Sequence, residues 1–140
     1  MNWKLVALRA LIALLCVAYS CTAYAYTYMF NDSTMSAYEE NGVFTIVFLE
    51  PGSSAKERGI KPYEVLFEGS ADWSGQLSGK AYSFKSGCIP EEYGFEVKGS
   101  LTGNQIDLYG IPPIFRTESC EIDHYSDMDP ATHLMLMLLY

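Results

Sequence analysis

The clearest hydrophobic pattern in the chain runs from Tyr93 to Ile111, where two alternating segments flank a Gly-Asn pair. Every second residue of the first segment is apolar or glycine, which is typical of a half-buried strand; that face consists of Tyr93, Phe95, Val97, Gly99 and Leu101. We expect Gly103 and Asn104 to supply the two positive φ angles of a tight hairpin turn. The pattern therefore predicts a β-hairpin.

The two-residue turn also predicts the register of this hairpin. With Thr102 opposite Gln105, every apolar residue or glycine of the first strand faces an apolar residue or glycine of the second; the pairs are Leu101–Ile106, Gly99–Leu108 and Val97–Gly110. On the polar face the pairs are Lys98–Tyr109 and Ser100–Asp107. A slip of one residue would set Leu101 against a polar side chain, so one register is strongly favoured.

Other strands are predicted on both sides of this hairpin. The apolar, β-branched run Val43–Leu49 indicates a central strand buried on both faces. Shorter strands are predicted at Tyr26–Phe30, at Tyr63–Glu68 with Tyr63, Val65 and Phe67 inward, and at Leu77–Lys85. The segment Asn31–Gly42 is polar and ends in an Asn-Gly turn, and Ser119–Tyr125 is a further strand candidate that pairs back through Cys120.

One short helical turn is predicted near residues 53–59. Ser54 and Glu57 stand at the spacing of a capping box, and Gly59 suits the left-handed position that follows a helix. The apolar tail His133–Tyr140 is first interpreted as a closing strand, with a C-terminal helix or a partner-binding segment as alternatives. Together these elements predict an all-β fold, a small antiparallel β-barrel or sandwich of about seven or eight short strands.

The first 25 residues have the three parts of a secretory signal peptide. Lys4 and Arg9 form a basic start, Ala10–Ala18 is an apolar core, and Ala23-Tyr24-Ala25 is a small-x-small cleavage site. The apolar run is far shorter than the ~20 residues that span a bilayer, so we expect no stable membrane insertion after cleavage. The predicted organisation is a signal peptide over residues 1–25 and one secreted β-domain over residues 26–140, in the periplasm or outside the cell.

The charge of the mature domain limits its partners. The full chain has a net charge of −8, and because Lys4 and Arg9 leave with the signal peptide while no acid does, the mature value is −10. Such a surface repels phosphate backbones and anionic lipid head groups, so we expect no nucleic-acid ligand. One domain of this size is expected to be a monomer.

Two cysteines remain after signal cleavage. Cys88 and Cys120 are an even pair in an oxidising compartment, which predicts a structural disulfide. In the chain-entropy model the bridge stabilises the fold by roughly 4 kcal/mol. A redox-active pair is the alternative, but such pairs usually have CxxC spacing, which is absent here.

The stretch from Val47 to Cys120 resembles a loosely defined group of small secreted alphaproteobacterial β-domain proteins of unknown function. The resemblance lies in FLEPGSSAKERGIKPYEVLFEG, then GKAYSF, a lone Cys88, YGFEVKG, and IDLYGIPP before Cys120. The chain departs from the group at Tyr63-Glu64, where Gly-Thr is usual. The resemblance implies a β-domain, sometimes appended to other extracytoplasmic modules, and includes no active-site motif.

Candidate chemistry in the chain is sparse. The C-terminal acids are the densest set of calcium-type ligands, but their spacing matches no calcium loop; they are Glu118, Glu121, Asp123, Asp127 and Asp129, with His124 among them. His124 and His133 with one carboxylate are too few for a zinc site. There is no Gly-x-Ser-x-Gly elbow. We therefore expect no catalytic residues, no metal and no cofactor.

Trp73 is the strongest candidate for ligand contact. It lies between Asp72 and Ser74-Gly75 in a predicted loop, where an indole ring could stack on a sugar or contact a protein. The alternative is that Trp73 folds back over an open end of the domain as a lid. The sequence thus predicts a non-catalytic extracytoplasmic binding domain for an unknown protein or envelope glycan. The alternatives are a small hydrolase that uses acidic residues and an inhibitor of an extracytoplasmic enzyme.

Overall fold

The computed structural model describes residues 25–126 and 132–139 of the chain. The strands in this part are β1 Ala25–Phe30, β2 Ser33–Glu40, β3 Val43–Glu50, β4 Val65–Ala71, β5 Gln76–Tyr82, β6 Gly94–Thr102, β7 Gln105–Gly110, β8 Pro113–Phe115, β9 Ile122–Tyr125 and β10 His133–Leu138. A short helix, α1, spans Ser53–Glu57 and a 3-10 turn spans Pro90–Tyr93. The predicted all-β fold with one helical turn is confirmed.

Eight of these strands close into an antiparallel barrel. Strands β1 to β7 pair in chain order, and β10 pairs with both β7 and β1, which joins the two edges. Of the two predicted architectures, the barrel is therefore the one observed. Strands β8 and β9 form a separate two-stranded sheet between β7 and β10.

Because neighbouring strands alternate in direction, the connections of the barrel alternate between its two ends. The tight-turn end has the short turns β2–β3, β4–β5 and β6–β7. The long-connection end has the β1–β2 turn and three longer segments: β3–β4 with α1, β5–β6 with the 3-10 turn, and β7–β10 with β8 and β9. The chain thus concentrates its irregular structure at one end.

The β6–β7 hairpin has the predicted register. Thr102 pairs with Gln105, Leu101 with Ile106, Gly99 with Leu108 and Val97 with Gly110. The predicted turn geometry is wrong, because neither Gly103 nor Asn104 has a positive φ. The matching of apolar faces, rather than the turn conformation, therefore determines the register.

The barrel interior is filled by side chains. Its fully buried members include Met35, Ile46, Phe67, Ile106, Leu108 and Leu136. Gly69 and Gly79 face each other across β4 and β5, and a Cβ added to Gly69 would lie 2.7 Å from the Gly79 Cα and 2.9 Å from the Phe67 ring. Glycine at this position therefore makes room for the Phe67 ring and for tight strand curvature.

The polar segment Asn31–Gly42 ends in the predicted Asn-Gly turn, where Asn41 and Gly42 have φ of +52° and +78°. It also contains a strand that the sequence did not predict, β2, whose inward residues Ser33, Met35 and Ala37 are buried although only one of them is large and apolar.

The predicted inward orientation of Tyr63 is wrong. Tyr63 is 73% exposed with φ of +69°, and β4 begins two residues later. A register shift opposite Ile46 and Val47 leaves Leu66 as an extra, buried residue in β4.

The helix α1 begins without the predicted capping box. Its N-cap is Gly52, and no side chain of the helix itself caps it. Instead the Asp32 carboxylate in the β1–β2 turn accepts hydrogen bonds from the Ser54 hydroxyl (2.6 Å), the Ser54 amide (3.2 Å) and the Ser53 hydroxyl (2.9 Å). These hydrogen bonds, led by that from Ser54, lower the pKa of Asp32 to about 2. Gly59 has the predicted left-handed conformation, with φ of +79°.

The C-terminal tail and the cysteines behave as predicted. Leu136 is fully buried inside the barrel, so His133–Leu138 is the closing strand, while Met135 and Met137 face outward. Cys88 and Cys120 form a disulfide with a Cα–Cα distance of 5.6 Å. Within the described residues, no helix reaches the length and apolar character that crossing a bilayer requires.

Candidate functional site

A cavity of about 910 Å³ opens at the long-connection end of the barrel. Its apolar surface comes from six strands or strand ends and includes Phe30, Phe48, Leu66, Phe84, Phe95 and Leu134. The rings of Phe48 and Phe84 meet edge to face, 5.6 Å apart. The barrel core below is filled, so this cavity is a pocket at one end and not a channel.

The helix α1 forms one cover of the cavity. Ala55 is buried against the barrel, and Ser54 and Arg58 line the cavity. The Asp32 carboxylate holds the first turn of the helix through both of its oxygens. The amide of Gly52 also donates to the buried Ser33 hydroxyl at 2.9 Å. These contacts fix α1 to the neighbouring β1–β2 turn.

The second cover is residues 112–118, which we call the strap. The strap contains β8 and lines the cavity along its whole length. The Cys88–Cys120 disulfide joins the segment just after it to the β5–β6 connection. Lys85 Nζ donates to the carbonyl oxygens of Arg116 and Ser119, each at 2.6 Å, and the Tyr93 ring packs on Phe115 with centroids 4.6 Å apart. Both covers are thus preorganised.

The rim of the cavity is cationic. In the described part of the chain its charged lining residues are Arg58, Lys85 and Arg116 and one carboxylate, Glu118; His133 also lines it. Arg116 has two weak partners, Glu121 at 3.5 Å and Asp123 at 3.8 Å, and all three side chains are more than half exposed. The cavity therefore combines an apolar floor with an excess of positive charge on an acidic protein.

The histidines and the C-terminal acids do not form a metal site in the described residues. No group of three or more Cys, His, Asp or Glu side chains there could hold a metal ion. His124 contacts Asp123 at 2.8 Å on the surface, and Arg116 pairs with Glu121 and Asp123. Asp127 and Asp129 lie outside the described residues.

His133 makes contacts between strands on the outer face of the barrel. Its Nε2 lies 2.8 Å from Asp107 Oδ1, and its ring stacks on Tyr109 with centroids 4.4 Å apart. Burial raises the pKa of Asp107, but hydrogen bonds from His133 and Gln105, together with the charge of His133, lower it overall. The pair joins β7 to β10 where the barrel closes.

Trp73 lies at the opposite, tight-turn end and is 99% exposed. Asp72 Oδ1 accepts hydrogen bonds from the Ser74 hydroxyl (2.7 Å), the Ser74 amide (2.9 Å) and the Gln76 amide (2.9 Å), and these bonds lower the pKa of Asp72. Gly75 completes the turn with φ of +82°. The lid interpretation of Trp73 is therefore wrong, and the indole is displayed on an ordered turn.

Sequence reasoning missed the cavity because its lining residues come from distant segments and look like core residues. Phe30, Phe48 and Phe84 each continue an inward strand pattern, and Phe48 is indeed buried, so the pattern does not separate a cavity wall from a core. One signal was available: Lys56, Arg58 and Lys61 cluster in a connection, whereas the predicted tight turns carry no cation.

The fold and the site define a class of protein: an eight-stranded, up-and-down antiparallel barrel with one covered, cavity-bearing end. No protein-family model, no curated protein and no solved structure matches the chain. The resemblance to secreted alphaproteobacterial β-domain proteins therefore stays a prediction.

Proposed function

We propose that the protein is a non-catalytic, extracytoplasmic binding domain that takes a small, largely apolar ligand into the cavity at the long-connection end of the barrel. The observation that carries the proposal is the preorganised cavity, closed on two sides by α1 and the strap. Its volume of about 910 Å³ lies within the usual range of small-molecule sites.

The alternative of a hydrolase with two acidic residues finds little support at this cavity. Paired carboxylates are required for such chemistry, and among the described lining residues Glu118 is the one carboxylate. Glu118 is exposed on the strap with φ of +63°. A binding role needs no such pair, so it fits the lining better.

Export supports the same function. We propose that residues 1–25 are a cleaved signal peptide and that the domain works in the periplasm or outside the cell. The disulfide between Cys88 and Cys120 is consistent with an oxidising compartment. Its position beside the strap links the compartment to the site, because oxidation there helps to hold a cover of the cavity.

Filling the cavity should abolish binding of an apolar ligand. The neutral fluorophore N-phenyl-1-naphthylamine should gain emission with the mature protein, and Ser83→Trp, which places an indole among the lining residues, should weaken that binding by about tenfold or more. Ser70→Trp, on an exposed outward position of β4, is the matched control and should bind like the native protein.

Circular dichroism and thermal unfolding would verify that both variants fold. Thr117→Trp, on the exposed strap, offers a second way to occlude the cavity if Ser83→Trp is unstable. A native protein that gives no emission gain, or occluded variants that bind as well as native, would contradict the proposal.

A second contact is proposed at the other end of the molecule, where Trp73 meets an envelope glycan or a protein. The supporting observation is a large apolar side chain that is 99% exposed on a turn held by three hydrogen bonds to Asp72. Exposed aromatic anchors of this kind carry much of the energy at many interfaces, and a rigid turn loses little entropy on binding.

Trp73 is the only tryptophan after residue 25, so its fluorescence isolates this contact. Soluble peptidoglycan fragments should shift the emission of the mature protein to the blue, and native protein should pellet with insoluble peptidoglycan while Trp73→Ala stays in solution. Tyr63→Ala, another strongly exposed aromatic but on the long-connection end, is the control and should pellet normally. If Trp73→Ala pellets as well as native, the glycan contact is refuted.

A further inference from the structure

The distribution of basic residues points to the chemistry of the ligand. The mature chain has seven Lys and Arg residues, and five of them lie in connections of the long-connection end: Lys56, Arg58, Lys61, Lys85 and Arg116. The other two, Lys80 and Lys98, lie on strands β5 and β6, and none lies in the tight turns. Most of the cations therefore lie at the end of the barrel that carries the cavity, and three of them line it.

The lining of the cavity is net positive, although the domain as a whole is net negative. Among the described residues, three cations and one carboxylate line it, whereas the mature chain has a net charge of −10. Charges at the mouth of an apolar cleft interact through a medium of lower dielectric constant than water. A small excess of positive charge there therefore stabilises a bound anion more than the same excess on an open surface would. The surrounding acids would still repel a ligand with several negative charges.

Two of the cations have unused donors. Arg58 has no ion pair or side-chain hydrogen bond in the described part of the chain, although it borders the cavity. Lys85 uses two of its three N–H donors on the carbonyl oxygens of Arg116 and Ser119, which leaves one. Arg116 is less available, because Glu121 and Asp123 flank it.

We propose that the ligand is an amphipathic monoanion, with an apolar body on the phenylalanine-lined floor and a carboxylate-type head group bound by Arg58 and Lys85. This inference rests on the proposed binding function and names the class of its ligand. Arg58 supplies a planar donor pair that matches a carboxylate, and Lys85 supplies a point charge held near the strap. A neutral analogue would fill the floor but leave both donors unused.

The test compares decanoate with decanol, which share an alkyl body and differ in the head group. Each is titrated against the N-phenyl-1-naphthylamine complex of the mature protein at low ionic strength. Decanoate should displace the fluorophore at a concentration about tenfold lower than decanol, and added salt should reduce that advantage. Arg58→Gln and Lys85→Gln should each remove most of the advantage, so that the displacing concentrations of decanoate and decanol become nearly equal.

Lys98→Gln, which makes the same change of charge on the outer face of β6, should behave like the native protein. If decanol and decanoate compete equally, the ligand class is wrong while the cavity still binds apolar molecules. If decanoate wins but Arg58→Gln and Lys85→Gln leave its advantage intact, the head group is bound elsewhere and the assignment is overturned. If neither compound displaces the fluorophore, the ligand class is wrong, whereas the proposed function fails only if the fluorophore itself does not bind or Ser83→Trp does not weaken its binding.

Discussion

Replacing both disulfide cysteines, Cys88→Ala with Cys120→Ala, should lower the free energy of unfolding by roughly 4 kcal/mol. The bridge spans a sequence separation of 32 residues that contains β6, β7 and β8, so its loss frees a long loop in the unfolded chain. Domains of this size have a total stability of about 5–15 kcal/mol, so the change is a large fraction of it.

The strap should stay in place in the folded variant, because other contacts also hold it. Lys85 donates to the carbonyl oxygens of Arg116 and Ser119. The Tyr93 hydroxyl donates to the Cys120 carbonyl oxygen, and the Tyr93 ring packs on Phe115. We therefore expect the fluorophore to bind the variant more weakly but still measurably below its melting temperature.

Urea unfolding of the native protein, the reduced native protein and the double alanine variant would measure the effect. Reduced native protein and the variant should share one midpoint, which serves as the internal control. Equal midpoints for oxidised and reduced protein would show that the bridge contributes nothing beyond the contacts of the strap.

The hairpin could be predicted residue by residue because its two faces constrain each other. In β6 and β7 a slip of one position would bury Asp107 or Gln105, so local pattern and tertiary burial agree. Strand β2 could not be predicted in the same way. Its inward positions include Ser33 and Ala37, which are small because they face a crowded interior, and small residues give no hydrophobic signal.

Closure of the barrel also lay beyond the sequence, since it depends on β1 pairing with β10 across almost the whole domain. The same holds for the candidate site. The cavity gathers side chains from both ends of the described chain, from Phe30 to Leu134, and its covers are fixed by contacts such as Asp32 to Ser54 that link different connections. Composition indicated acidity, but only the fold shows where the few cations lie.

Phe67→Ala should destabilise the domain by about 3–5 kcal/mol, the usual cost of removing a fully buried aromatic ring. Phe67 is completely buried in the barrel, 6.3 Å from the Phe44 ring, and it pairs with Ile46 and Ala81 on the neighbouring strands. Gly69 adjoins this ring and has no side chain that could expand into the space it leaves.

Trp73→Ala is the matched control, because it removes a larger aromatic ring just beyond the end of the same strand. With the indole 99% exposed, its loss should change the free energy of unfolding by no more than about 0.5 kcal/mol. Denaturant unfolding of the two variants, followed by far-ultraviolet circular dichroism, provides the measurement. A strongly destabilised Trp73→Ala would mean that the indole covers the barrel in solution, and the contact proposed for it would then have no basis. The two variants together thus test whether Trp73 at the tight-turn end contributes to binding a partner or to the stability of the fold.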